Sequence, residues 1–135
     1  MIKKLALVIV LSTLLSACLP NLGGGPSGPP AATFSQGQVP SGFPPLPLYP
    51  KSKVLEGYGA NNAFGASVVT DDSITKVLDF YNKSFGPLGW KFKLRQVETN
   101  NYVFDVDNST YSGVVIVNTA ADGKKTAITL SVSPR

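Results

Sequence analysis

The spacing of apolar positions divides the chain into segments of different period. Over "TDDSITKVLDFYNKSFGPLGW", Ile74, Val77, Leu78, Tyr81 and Phe85 recur at i, i+3, i+4, i+7 and i+11, the stripe of an amphipathic helix with one buried side. Thr70, Asp71 or Asp72 is placed to cap its start, with acidic charge at the positive end of the dipole, and Gly86-Pro87 stops it. On either side the period falls to two. Residues 53–58 and 64–70 predict strands parted by the turn residues of "GANNA". Trp90, Phe92 and Leu94 alternate with Lys91, Lys93 and Arg95. Beyond the turn "ETNN", Tyr102, Phe104 and Val106 alternate with Val103, Asp105 and Asp107.

If both aromatic sets face the core, paired residue numbers on these two strands sum to an even value. A sum of 200 sets Arg95 opposite Asp105 and Lys93 opposite Asp107, whereas 198 sets Lys93 opposite Asp105 and Lys91 opposite Asp107. Either register gives a ladder of opposite charges, each pair contributing a few tenths to about 1 kcal/mol. The ladder neutralises the basic strip "KFKLR" and outweighs its reading as a nucleic-acid or headgroup site.

Two more strands, 113–118 and 126–132, are joined by "AADGKK", where Gly123 supplies a left-handed position. Residues 114–117 are apolar at every position, which predicts an interior strand whose second face is covered by something: a Pro-rich arm, a second copy or a partner. The fold class expected is α+β, one helix packed on an antiparallel sheet: strands, helix, then a four-stranded meander. Val115, Val117, Lys91, Lys93 and Arg95 form the candidate interaction face.

Composition narrows the chemistry. The chain has 135 residues, enough for one small domain, with no histidine and a single cysteine. Cys/His zinc sites, Ser-His-Asp and Cys-His nucleophiles all lack parts, and no disulfide can form within the chain. The formal charge is +4, with 12 Lys and Arg against 8 Asp and Glu. Two of those cations, Lys3 and Lys4, stand at the extreme N-terminus, so the remaining excess is too weak for a nucleic-acid binder.

Asp71-Asp72 with Asp79 is the one acidic cluster to weigh as an acid/base pair or cation site, and capping is the better account of it. "DVDNST" (105–110) lacks the central Gly and closing Glu of a calcium loop and reads as a strand end entering a turn. Asn82-Lys83-Ser84 and Asn108-Ser109-Thr110 match the glycosylation sequon. Phe80, Tyr81, Phe85, Trp90 and Phe92 are read as core rather than as a ligand pocket. No enzyme, metal site or cofactor is expected.

The N-terminal 17 residues combine a basic start, an apolar run of about eleven residues and small residues. This is the layout of a signal peptide, too short to span a bilayer as a helix. Leu15-Ser16-Ala17-Cys18 closely resembles the lipobox of bacterial lipoproteins. The resemblance implies cleavage before Cys18, diacylglycerol on its thiol and a membrane anchor of two or three acyl chains. Leu19 in place of Asp implies the outer membrane, facing the periplasm, in a two-membrane organism, and otherwise the outer face of the plasma membrane.

From 18 to 42 the Gly- and Pro-rich composition ("GGGPSGPP", "SQGQVPSG") predicts a disordered linker with a typical reach of about 25–30 Å. "FPPLPLYP" (43–50) is necessarily extended. It is expected to lay Phe43, Leu46, Leu48 and Tyr49 along the domain's own core rather than to serve as a polyproline ligand. The folded domain then covers 43–135. Its pattern "YP…TDDS…VLDFYN…GW", spanning Tyr49 to about Val132, resembles small secreted or lipid-anchored bacterial domains of unknown function, and that resemblance implies no catalytic residue.

The function expected from these features is a lipid-anchored, non-catalytic envelope module that engages another envelope component, a protein. The alternative is a carrier holding a small apolar ligand between helix and sheet.

Overall fold

The computed structural model describes residues 32–135. The expected signal peptide, Leu15, Ser16, Ala17 and Cys18, and the linker up to residue 31 lie outside the described residues. Seven strands form one antiparallel sheet: β1 (Thr33–Gln36), β2 (Ser52–Ala60), β3 (Ala63–Thr70), β4 (Lys91–Glu98), β5 (Asn101–Asp107), β6 (Tyr111–Thr119) and β7 (Thr126–Pro134). Their order across the sheet is β1-β2-β3-β7-β6-β5-β4. One helix among the described residues, α1 (Ile74–Ser84), leads from the interior strand β3 across one face toward the edge strand β4, through a 3₁₀ turn at Gly86–Leu88. The α+β class is as expected, and the four-stranded meander β4–β7 is present. The meander does not stand apart, because β7 returns to pair with β3 and makes one continuous sheet.

The helix stripe is buried as its spacing predicts: Val77, Tyr81 and Phe85 are inaccessible to solvent. Tyr81 stacks on Phe85 at 5.2 Å, and Phe85 meets Phe104 at 5.3 Å. Beneath them lie Val115, Val117, Ile128 and Leu130, all fully buried. The N-cap is Ser73, whose Oγ accepts the Lys76 N–H at 3.4 Å. Thr70, Asp71 and Asp72 do not cap it, since Thr70 still belongs to β3 and the chain turns only at Ser73.

The Pro-rich arm packs on the same face as the helix. Leu46 and Tyr49 are buried, the Phe43 ring meets Phe64 edge-on at 6.0 Å, and Trp90 Nε1 donates to the Pro45 carbonyl at 3.1 Å. The arm therefore completes the core layer, and the cover of the second face is not the arm.

The linker prediction needs correcting at its C-terminal end. Residues 33–36 form β1, an edge strand paired with Glu56–Gly59 of β2. "TFSQ" has strand-compatible residues, but four positions between Gly- and Pro-rich neighbours give too short a period to detect.

The turns follow their residues. Asn61 (φ 52°) and Asn62 (φ 61°) hold the two left-handed positions of the β2–β3 hairpin. Gly123 (φ 71°) takes the left-handed position expected of it between β6 and β7. Asn108 Oδ1 accepts the N–H groups of Thr110 and Tyr111, each at 2.8 Å, so "DVDNST" is a strand end running into an Asx-stabilised turn.

Candidate functional site

The register assigns every strand residue to one of two faces. Core-facing rows carry Ala66, Leu130, Val115 and Phe104 side by side, and the alternate rows face away from the helix. One such row runs Phe34, Tyr58, Gly65, Ser131, Val114, Asp105, Lys93. The next runs Glu56, Ser67, Thr129, Ile116, Val103, Arg95. No described element packs over these rows. Along most of both rows the side chains keep partial or full access to solvent, Val103 excepted.

This open face has three zones. At the β1–β2 side Phe34, Leu55 and Tyr58 are exposed apolar groups. Leu55 is there because of a β-bulge between Val54 and Glu56, which sets an additional residue opposite β3. Tyr58 lies flat on Gly65, whose absent side chain leaves the room: a methyl there would fall within the ring. The Tyr58 hydroxyl reaches Ser131 Oγ at 3.1 Å. The centre holds Val103, Val114 and Ile116 among Ser67, Thr129 and Ser131, a patch of small and β-branched side chains.

The far side is the charge ladder. The register is the one with sum 198, Lys93 opposite Asp105 and Lys91 opposite Asp107. The ion pair nevertheless forms on the diagonal. Arg95 Nε and Nη2 donate to Asp105 Oδ2 and Oδ1 at 2.7 and 3.2 Å, since the long guanidinium stem reaches a diagonal neighbour that Lys93 directly faces. These bonds hold the Asp105 carboxylate below its usual range. Asp107 meets Arg135 at 3.5 Å. Lys91 and Lys93 take part in none of the described ion pairs.

Of the residues expected to form the interaction face, Lys91, Lys93 and Arg95 are on the open side. Val115 and Val117 are not: both are 0% exposed and pack in the core. The correction follows from the β5–β6 hairpin, which sets Phe104 opposite Val115 and Val103 opposite Ile116. The face thus receives Val114 and Ile116 from β6. Tyr58 and Gly65 were not singled out from the sequence, although an isolated glycine inside a strand is a signal of close approach.

The acidic residues weighed as a cluster do not converge. Asp71 pairs with Lys125 at 2.7 Å, Asp79 with Lys83 at 2.8 Å, and Asp72 accepts the Tyr49 hydroxyl at 2.7 Å and lies 3.5 Å from Lys76. The Tyr49 bond and the nearby lysines lower the Asp72 pKa, and the same bond raises Tyr49 to about 12. No group of three or more His, Cys, Asp or Glu suited to a metal ion occurs among the described residues.

A groove of about 320 Å³ runs along the outer flank of α1, floored by Tyr49, Pro50 and Phe80 and rimmed by Lys51, Lys76 and Lys83. It lies outside the helix. The space between helix and sheet is filled by Tyr81, Phe85, Phe104 and the aliphatic layer below them.

Comparison with protein-family models, with curated proteins and with solved structures finds no match to this chain.

Proposed function

We propose that this chain is a lipid-anchored, non-catalytic binding module of the bacterial envelope that engages another envelope protein through the open face of its sheet. The observation that carries this reading is the asymmetry of the sheet. One face is sealed by helix and arm, while the other presents Tyr58, Val114 and Ile116 beside a charge ladder, with no described element over it. An interior strand apolar at every position from 114 to 117 supports a face that meets protein rather than water alone. Asp71, Asp72 and Asp79 each meet a different lysine rather than one another, which supports separate ion pairing over an acid/base pair as the reading of this cluster.

Cys18 in "LSAC" supports an acyl anchor at the first residue of the processed chain, and Leu19 favours the outer membrane where there are two. Two experiments test the two halves. Labelled fatty acid should enter the wild-type chain and not Cys18→Ala, and an unlabelled wild type rejects the anchor. Cross-linking in intact cells followed by purification should recover a discrete protein partner, and recovery of none rejects the binding role.

A second reading, carriage of a small apolar ligand, draws on the groove beside Tyr49 and Phe80. A hydrophobic dye displaced by Phe80→Trp would support it, and no dye binding to the wild type would remove it.

A further inference from the structure

Strand β4 closes one side of the sheet, and all eight of its residues are exposed. Among the described residues only β5 pairs with it, so every second residue directs its N–H and C=O away from the sheet with no described strand to receive them. From Lys91 to Gln96 its register is unbroken. A bulge at Val97 then ends the straight run, leaving six residues able to accept another strand.

The two sides of this edge differ in chemistry. Toward the helix, Phe92 and Leu94 are 37% and 36% exposed, although Phe92 touches Phe85 and Phe104 at 5.3 and 5.9 Å. Their layer of apolar packing stops at the edge, half finished. Toward the open face stand Lys91, Lys93 and Arg95, of which only Arg95 has a carboxylate within ion-pair distance among the described residues.

We infer that β4 is a docking edge for an extended segment of another protein in which acidic and apolar residues alternate. Such a strand lies beside Lys91–Gln96 as an eighth strand, with its carboxylates meeting Lys91, Lys93 and Arg95 and its apolar residues covering Phe92 and Leu94. Charge selects this occupant over a second copy of the chain. In an antiparallel β4–β4 pair the odd-numbered positions face each other, so Lys93 meets Lys93 and Lys91 meets Arg95, or a shifted register matches the same cations. The basic side chains that bar self-association therefore admit an acidic strand. This inference rests on the reading of the domain as a binding module and adds the chemistry of its partner.

The probes are two synthetic eight-residue peptides, one alternating valine with glutamate and the other valine with lysine. They are titrated into the isotopically labelled full chain in detergent and followed by amide chemical shifts. The glutamate peptide should perturb the amides of Lys91–Gln96 and slow their hydrogen exchange, and the lysine peptide should bind at least about tenfold more weakly. N-methylation of alternate amides along one edge of the glutamate peptide should abolish binding, a readout that leaves the protein intact. The exposed double variant Lys91→Glu, Lys93→Glu should reverse the preference, and Lys93→Gln should weaken it without reversal. Equal binding of both peptides, binding that survives N-methylation on either edge, perturbation centred on Tyr58 and Ile116, or no binding at all overturns the inference. A partner still captured in cells while these peptides fail would condemn the edge and leave the binding module standing.

Discussion

The ring of Tyr58 rests on the backbone of Gly65 in the neighbouring strand, in the space that any other residue's side chain would occupy. The contact is on the outer surface of the sheet, not in the core, and the hydroxyl is tied to Ser131 one strand further on. It links β2, β3 and β7 on the open face. Gly65→Ala should force the ring off and cost about 1–3 kcal/mol. In Tyr58→Ala the same change at Gly65 should cost far less, a coupling that urea denaturation of the four variants measures.

The assignment of β6 residues to opposite faces gives a second prediction. Val115 is sealed under the helix and Ile116 is on the open side. Val115→Ala should lower stability by roughly 2–3 kcal/mol, whereas Ile116→Ala should cost less than about 1 kcal/mol. Equal losses would mean that something covers the second face in the isolated chain.

Trp90, the chain's one tryptophan, reports on the arm. It is buried and donates to Pro45, so its emission should be blue-shifted in the native protein. Leu46→Ala should destabilise by about 2–4 kcal/mol, and Leu46→Asp should red-shift the emission by lifting the arm, which steady-state fluorescence detects.

The Tyr49–Asp72 bond fixes the end of the arm to the start of the helix and makes stability depend on pH at both extremes. The Tyr49 pKa is raised from 10.0 to about 12, so its contribution is complete below 10 and is lost as pH rises between these values. The Asp72 pKa is lowered, so its contribution is present above 3.8 and is lost as pH falls through the folded-state value. Urea midpoints of Tyr49→Phe against wild type should converge in both ranges and differ between them.

The helix was legible in the sequence because Ile74 to Phe85 keep one period with a clear stop, and the β4–β5 ladder because charge and aromatic residues alternate in step. What was not legible depends on turn geometry. A shift of one residue in a hairpin exchanges faces, and the Asn108 turn, which decides that Ile116 rather than Val115 faces outward, leaves no mark in the period of β6 itself. The two bulges, at Leu55 and Val97, are hidden for the same reason. Strand β1 escaped because four residues carry little pattern, and the groove at Tyr49 and Phe80 because it joins an arm and a helix whose packing no local spacing encodes.

The proposed binding role requires that partner and domain meet at the open sheet face. A photo-reactive amino acid placed at Ile116, with another at the exposed helix position Asn82 for comparison, tests it in intact cells that retain Cys18. Ile116 should yield a discrete protein adduct and Asn82 none; an adduct from Asn82 with none from Ile116 would rule out the open face as the meeting surface.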